Sequence, residues 1–247
     1  TTSDGYGYED IKSMSRWTDF NLAEILRRYG DVLRTKSFLR DVYASGHREA
    51  ASENEIRIRF GKGLFSIVNR GLDHAHDKMD PELRNRLPPD PAVQKLIDNK
   101  HVHMTIVSGQ DIPMRDNFSD DHVARTNKGY RSRGCVSIEV KPSYVFRARY
   151  RSRKDKNRRR EFKQVLSQLN FYMHMRNTRY GCLLTDKELV CVRKKVDENG
   201  DDMAGHLELS MRIPRTACGE GALTMELSLW YLIMLAGEKQ AGIGWPL

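Results

Sequence analysis

The chain runs to 247 residues, 39% of them hydrophobic, so it can bury a core of ordinary size and wholesale disorder is excluded. Its 42 Lys and Arg exceed its 33 Asp and Glu, giving a formal charge of +9, a surplus that favours polyanionic partners through counterion release and steering. A mean hydropathy of −0.65, a polar N-terminus and an apolar maximum of only about ten residues at 227–236 predict neither a secretory leader nor a membrane span.

An intracellular protein of nucleus or cytoplasm is therefore expected. The chain begins at Thr1 rather than Met, as a piece of a longer protein would. Residues 1–20 are polar and read as a tail. From Asp19 to Val42, Leu22, Ile25, Leu26, Tyr29, Val32 and Leu33 recur at helical spacing, with Gly30 as an interruption. Residues 1–50 thus read as an N-terminal tail and helical extension, ahead of a main domain over 51–247. Glu53 to His74 carries the next stripe, Ile56, Phe60, Leu64, Ile67, Val68 and Leu72, and predicts one helix weakened by Gly61 and Gly63. The proline-rich stretch from Asp80 to Pro91 is a loop, and Pro91 to Asp98 suits a short helix starting on its proline.

The period then changes. His101–Val107, His122–Thr126 and Cys135–Val140 predict strands, the second and third joined by Asn127-Lys128-Gly129 turn chemistry. Phe162–Met175 is helical. Tyr180–Thr185 and Glu188–Val192 are strands joined tightly at Asp186-Lys187, and His206–Ile213 alternates. Leu223–Leu235 closes as an apolar helix with Trp230 and Tyr231 in the core. This order predicts an α/β (α+β) fold, a central mixed β-sheet flanked by helices, in which residues 135–185 form a right-handed parallel crossover. Cys135, Cys182, Cys191 and Cys218 show no CxxC spacing and read as reduced thiols, three of them in apolar surroundings.

Chemistry concentrates in Val136-Ser137-Ile138-Glu139-Val140-Lys141-Pro142. Alternate side chains of a strand share a face, so Glu139 and Lys141 point one way while Ile138 and Val140 enter the core. A carboxylate there can hold a hard cation such as Mg²⁺ or Mn²⁺, and the ammonium can orient water and stabilise a charged phosphate transition state. A second carboxylate is expected from the preceding strand: Asp121 first, Asp120 as the alternate, Asp111 as the outside candidate. The bland alternative is a surface ion pair, worth at most about 1 kcal/mol.

An acid opening one strand, Glu-x-Lys on the next, and a helix carrying Gln168-Leu169-Asn170-Phe171-Tyr172 resemble the PD-(D/E)xK nuclease superfamily, in particular its RecB-like branch. Ser119-Asp120-Asp121 stands where that family's name-giving Pro-Asp would be. The segment 224–236 also resembles fungal nuclease-like domains. The resemblance, over roughly residues 50–195, implies a restriction-endonuclease-like core and a metal-dependent nuclease. It implies catalytic roles for Asp121, Glu139, Lys141 and Gln168, with metal held by Asp121 and Glu139. It also implies a helix-borne glutamate, for which Glu53 or Glu55 is a loose match.

Between the Glu-x-Lys strand and the Gln168 helix lie nine basic residues opposed by Asp155: Arg147, Arg149, Arg151, Arg153, Lys154, Lys156, Arg158, Arg159 and Arg160. They read as a loop gripping a nucleic-acid backbone, with Tyr150 or Tyr172 against the substrate, or as a nuclear import signal. His74-x-His76 and His101-x-His103 have metal-ligand spacing without a Cys or carboxylate partner, so a non-ligand role is preferred. His122 reads as a strand residue beside Asp121. No Walker loop, GxGxxG or GxSxG motif is present. The expected activity is hydrolysis of DNA, with RNA as a second substrate. The alternatives are an inactive nuclease-like module that binds nucleic acid or protein, and a nuclease toxin or effector.

Overall fold

A computed structural model describes residues 5–34, 52–77, 101–112, 114, 118–126, 134–152 and 154–238. In chain order they form β1 (Ser13–Arg16), α1 (Leu22–Arg34), α2 (Glu53–Lys62), α3 (Leu64–Asp77), β2 (Met104–Ser108), β3 (His122–Thr126) and β4 (Gly134–Val140). After these come α4 (Lys156–Met175), β5 (Tyr180–Leu184), β6 (Glu188–Val196), β7 (Asp202–Leu209), β8 (Ile213–Pro214) and α5 (Met225–Gly237). The eight described strands make one mixed sheet in the order β1-β7-β6-β5-β4-β3-β2, with β8 paired to β6. β1/β7 and β4/β5 run parallel, and the remaining pairs are antiparallel. The fold is therefore α+β with a central mixed sheet.

Strand alternation divides the core in two. Val136, Ile138, Val140, Cys182 and Leu184 face one cluster with Ile25, Ile56, Leu72 and Trp230 from α1, α2, α3 and α5. Leu183, Val190 and Val192 face another with Phe162, Val165, Leu166 and Leu169 of α4. Among the described residues no helix is long and apolar enough to cross a membrane.

Several local expectations differ from the structure. The presumed tail contains β1, and Trp17, Phe20, Ile25 and Tyr29 share a core cluster with Ile56 and Trp230. A boundary near residue 50 thus separates no independent core. Gly30 is buried inside an unbroken α1. The helix expected over 53–74 is two, because Gly63 leaves helical dihedrals with φ −126° and ψ −89°. The basic stretch is not all loop: Asp155 caps α4 by accepting from the amides of Asn157 and Arg158, so Lys156–Arg160 are its first turns. The predicted 91–98 helix and 127–129 turn lie outside the described residues.

Two features set the entrance to β3. Gly109 passes so close to Asp120 that a Cβ would lie 1.9 Å from its carbonyl oxygen. Along β3/β4, Ala124 pairs with Val136 but Arg125 with Gly134, a bulge in the ladder.

Candidate metal and nucleic-acid site

β4 presents Glu139 on the face opposite Ile138 and Val140, beside Leu183 of β5. Glu139 is 1% exposed. Its Oε1 accepts from Lys141 Nζ at 2.6 Å, and its Oε2 is buried with no hydrogen-bond partner. Lys141 Nζ also reaches Glu53 Oε2 of α2 at 3.2 Å. The last β3/β4 pair is His122 with Ile138, so one step further Asp121 stands opposite Glu139. Asp121 Oδ2 accepts the Val140 amide at 2.7 Å, taking over where the backbone ladder stops. Its Oδ1 lies 3.0 Å from Arg57 Nη2 of α2.

The electrostatics follow from burial. The Glu139 carboxyl is pushed up to about 8, first by burial and then by the charge of Asp121. Asp121 is also raised by burial, against the Val140 amide and Arg57. Burial pulls the Lys141 ammonium down, but Glu139, Glu53 and Asp121 outweigh it and hold it above the ordinary lysine range. Three carboxylates, Asp121, Glu139 and Glu53, are thus tied to two cations, Arg57 and Lys141.

Other expected residues separate. Asp120 faces away: both of its oxygens are held by Arg176, at 2.6 and 2.7 Å, and Arg176 also donates to the Ile112 carbonyl. Its role is therefore a buried ion pair, not an alternate ligand. Glu55 pairs with Arg59 on α2, whereas Glu53 and Arg57, four residues apart on another face, are the ones turned to the site. Asp111 is exposed. Gln168 donates to the Tyr172 hydroxyl at 3.2 Å. Burial raises that hydroxyl to about 12, and Glu139 and Lys141 lie within electrostatic range of it. His122 packs on Phe65, and burial, then Arg57, lowers it to about 4, leaving it uncharged at neutral pH.

Within the basic stretch, Arg149, Lys154, Lys156, Arg158, Arg159 and Arg160 are exposed. Arg147 and Arg151 instead donate to the carbonyls of Ser143 and Met14, and Arg153 lies outside the described residues. Tyr150 is buried in the α4 core with Arg149 and Arg158 against its ring, so it cannot stack on a base; Tyr172 is buried too. Tyr144, three residues after Lys141 in the chain, is 60% exposed.

The sequence did not point to Arg57, nor to Asp186 and Glu188 at the β5–β6 turn. Asp186 accepts the Ser143 amide and hydroxyl at 2.7 and 3.0 Å, and Glu188 accepts the Ala148 amide at 2.5 Å. These two buried carboxylates clamp the segment that follows Lys141. The i,i+4 spacing of Glu53 and Arg57 was the available signal for the first; nothing local signals the clamp.

The paired histidines converge elsewhere. The His76 ring lies 4.6 Å from His103 and 6.4 Å from His101, while His103 bonds Asp73 and His101 bonds Tyr29. Burial, then the neighbouring imidazoles, lowers His76 to about 3. Cys135, Cys182 and Cys191 are buried thiols and Cys218 is exposed. Among the described residues no group of three His, Cys, Asp or Glu side chains is arranged to hold a metal by itself. No family model, curated protein or solved structure matched the chain.

Proposed function

We propose that the chain is a divalent-metal-dependent nuclease hydrolysing phosphodiester bonds of DNA, centred on Asp121, Glu139 and Lys141. The observation that carries this reading is the buried, unpartnered Oε2 of Glu139 next to Asp121. A buried acceptor without a donor is costly, and the surrounding groups leave one negative charge in excess when all are ionised. A hard cation answers both.

Asp121 and Glu139 would hold Mg²⁺ or Mn²⁺, which suits such a site because Mg²⁺ takes one or two carboxylates and completes its shell with water and phosphate oxygens. Bound there, the metal would supply Lewis-acid polarisation and a more acidic water. Lys141, held between Glu139 and Glu53, would orient that water and face phosphate charge. Arg57 steadies Asp121, and Gln168 steadies Tyr172. The exposed cations from Arg149 to Arg160 would meet the DNA backbone, and the same run suits nuclear import. The strand–strand–helix order also supports a restriction-endonuclease-like core.

A second reading has its own support. Both Asp121 oxygens are already engaged, by Val140 and Arg57, as an inactive nucleic-acid-binding module would tolerate. Incubating purified protein with plasmid and Mg²⁺ decides between them. Cleavage that requires Mg²⁺ and disappears in Glu139→Ala and Lys141→Ala is expected. Cleavage unchanged in both variants would sink the assignment, and salt-sensitive binding without cleavage would favour the inactive module.

A further inference from the structure

We propose that one face of α4, with the N-terminal segment lying across it, is a track for single-stranded DNA whose bases stack on Tyr6, Phe171 and Phe118. The destination of the track rests on the nuclease reading; the binding does not.

Arg160, Gln164, Gln168 and Tyr172 recur every fourth residue, so they form one row along α4, about 18 Å long at 1.5 Å per residue. The segment from Tyr6 to Tyr8 follows that row. The Arg160 guanidinium lies 4.3 Å over the Tyr8 ring, and the Gln164 amide reaches the Tyr6 carbonyl at 3.5 Å. The Tyr6 ring stands 5.6 Å from Phe171 and 6.5 Å from Tyr172, and Phe118 stands 5.0 Å from Phe171. The row therefore passes from cation to amides to aromatic rings, and ends at Tyr172, within electrostatic reach of Glu139 and Lys141.

Exposure separates this cluster from ordinary packing. Rings that serve the core, Trp17, Tyr29, Phe146 and Phe162, are at most 2% exposed, whereas Tyr6, Phe118 and Phe171 are each only half-buried. Phe171 also walls a cavity of about 300 Å³ shared with Gly5, Asn170 and His174, so there is room beside its ring. Aromatic faces next to a cationic helix end suit bases that are free to leave their own stack. In a duplex those faces are already covered by neighbouring pairs, and the rings would gain little.

The test measures binding of the intact protein in EDTA, where no metal-dependent cleavage intervenes. The probes are a fluorescein-labelled 16-nucleotide single strand, the duplex of the same sequence, and an abasic strand of equal length. We expect the single strand to bind about tenfold more tightly than the other two, because each stacked base contributes a factor of that order. Phe171→Leu and Tyr6→Ser should each weaken single-strand binding about fivefold or more and leave duplex binding unchanged. If Phe171→Leu fails to fold, quenching of a 2-aminopurine strand by the unsubstituted protein reports the stacking instead. Equal affinity for ordinary and abasic strands, duplex preference, or no binding overturns the proposal. Plasmid cleavage without strand preference refutes the track alone; strand binding without cleavage in any divalent metal refutes the nuclease alone.

Discussion

Glu139→Gln should make the protein more stable at alkaline pH while abolishing cleavage. The carboxyl is raised from its usual 4.5 to about 8, so the folded state keeps a proton that the unfolded chain gives up. Stability then falls as pH rises from about 4.5 and levels off above about 8. At about 1.4 kcal/mol per pH unit, the full decline is on the order of 4 to 5 kcal/mol. The bond to Lys141 is already contained in that shift, and a difference of a few kcal/mol is what the experiment should read. Urea unfolding at pH 5, 6.5, 8 and 9 in EDTA should show a sloping midpoint for the wild type and a flatter one for the variant, with the variant ahead above pH 8. Added Mg²⁺ should stabilise the wild type by RT ln(1 + [Mg²⁺]/Kd), about 2.7 kcal/mol at a hundredfold excess over Kd, and leave the variant unmoved. Parallel pH profiles, or a variant less stable at every pH, would refute the reasoning: Glu139 would then be a net stabilising partner of Lys141 rather than a strained ligand.

The two adjacent aspartates should part company. Asp120→Asn breaks a fully buried pair with Arg176 and should cost about 3–5 kcal/mol, seen as a Tm drop on the order of 10 °C, whereas Asp121→Asn should leave Tm nearly unchanged and remove cleavage. Gly109→Ala would drive a Cβ into the Asp120 carbonyl, so a thermal shift should show clear destabilisation, and wild-type Tm would contradict that geometry. Asp186→Ala strips the Ser143 amide and hydroxyl of their acceptor. It should cost about 1–3 kcal/mol and weaken DNA binding with little change in the single-turnover rate at saturation.

What could be read in advance was whatever depends on short-range periodicity. Alternation put Glu139 and Lys141 on one side of β4, and the four-residue spacing put Gln168 with Tyr172; both pairs meet in the fold. Choosing between Asp120 and Asp121 required the register of β3 against β4, which residue types do not encode. Glu53 and Arg57 come from a helix some eighty residues earlier in the chain, and their approach is a matter of tertiary packing. The polar look of residues 5–20 concealed β1, because an edge strand buries little and leaves its pattern weak. Tyr150 misled for the opposite reason: a basic neighbourhood suggested a surface, yet its ring fills the α4 core.

The bulge in β3/β4 gives this protein a counting problem. With the spacing seen at Arg125 and Gly134 carried forward, Asp120 rather than Asp121 would arrive opposite Glu139. The extra residue in β4 advances the pairing by one. Drawing Cys135 back into the ladder opposite Ala124 would therefore exchange the duties of two neighbouring aspartates, offering Asp120 to the site and turning Asp121 towards Arg176, whereas deleting Cys135 would leave Asp121 opposite Glu139. No side chain of the site need change for the exchange. In this sheet a frame setting four residues upstream of Glu139 determines which acid is spent on folding and which is left for chemistry.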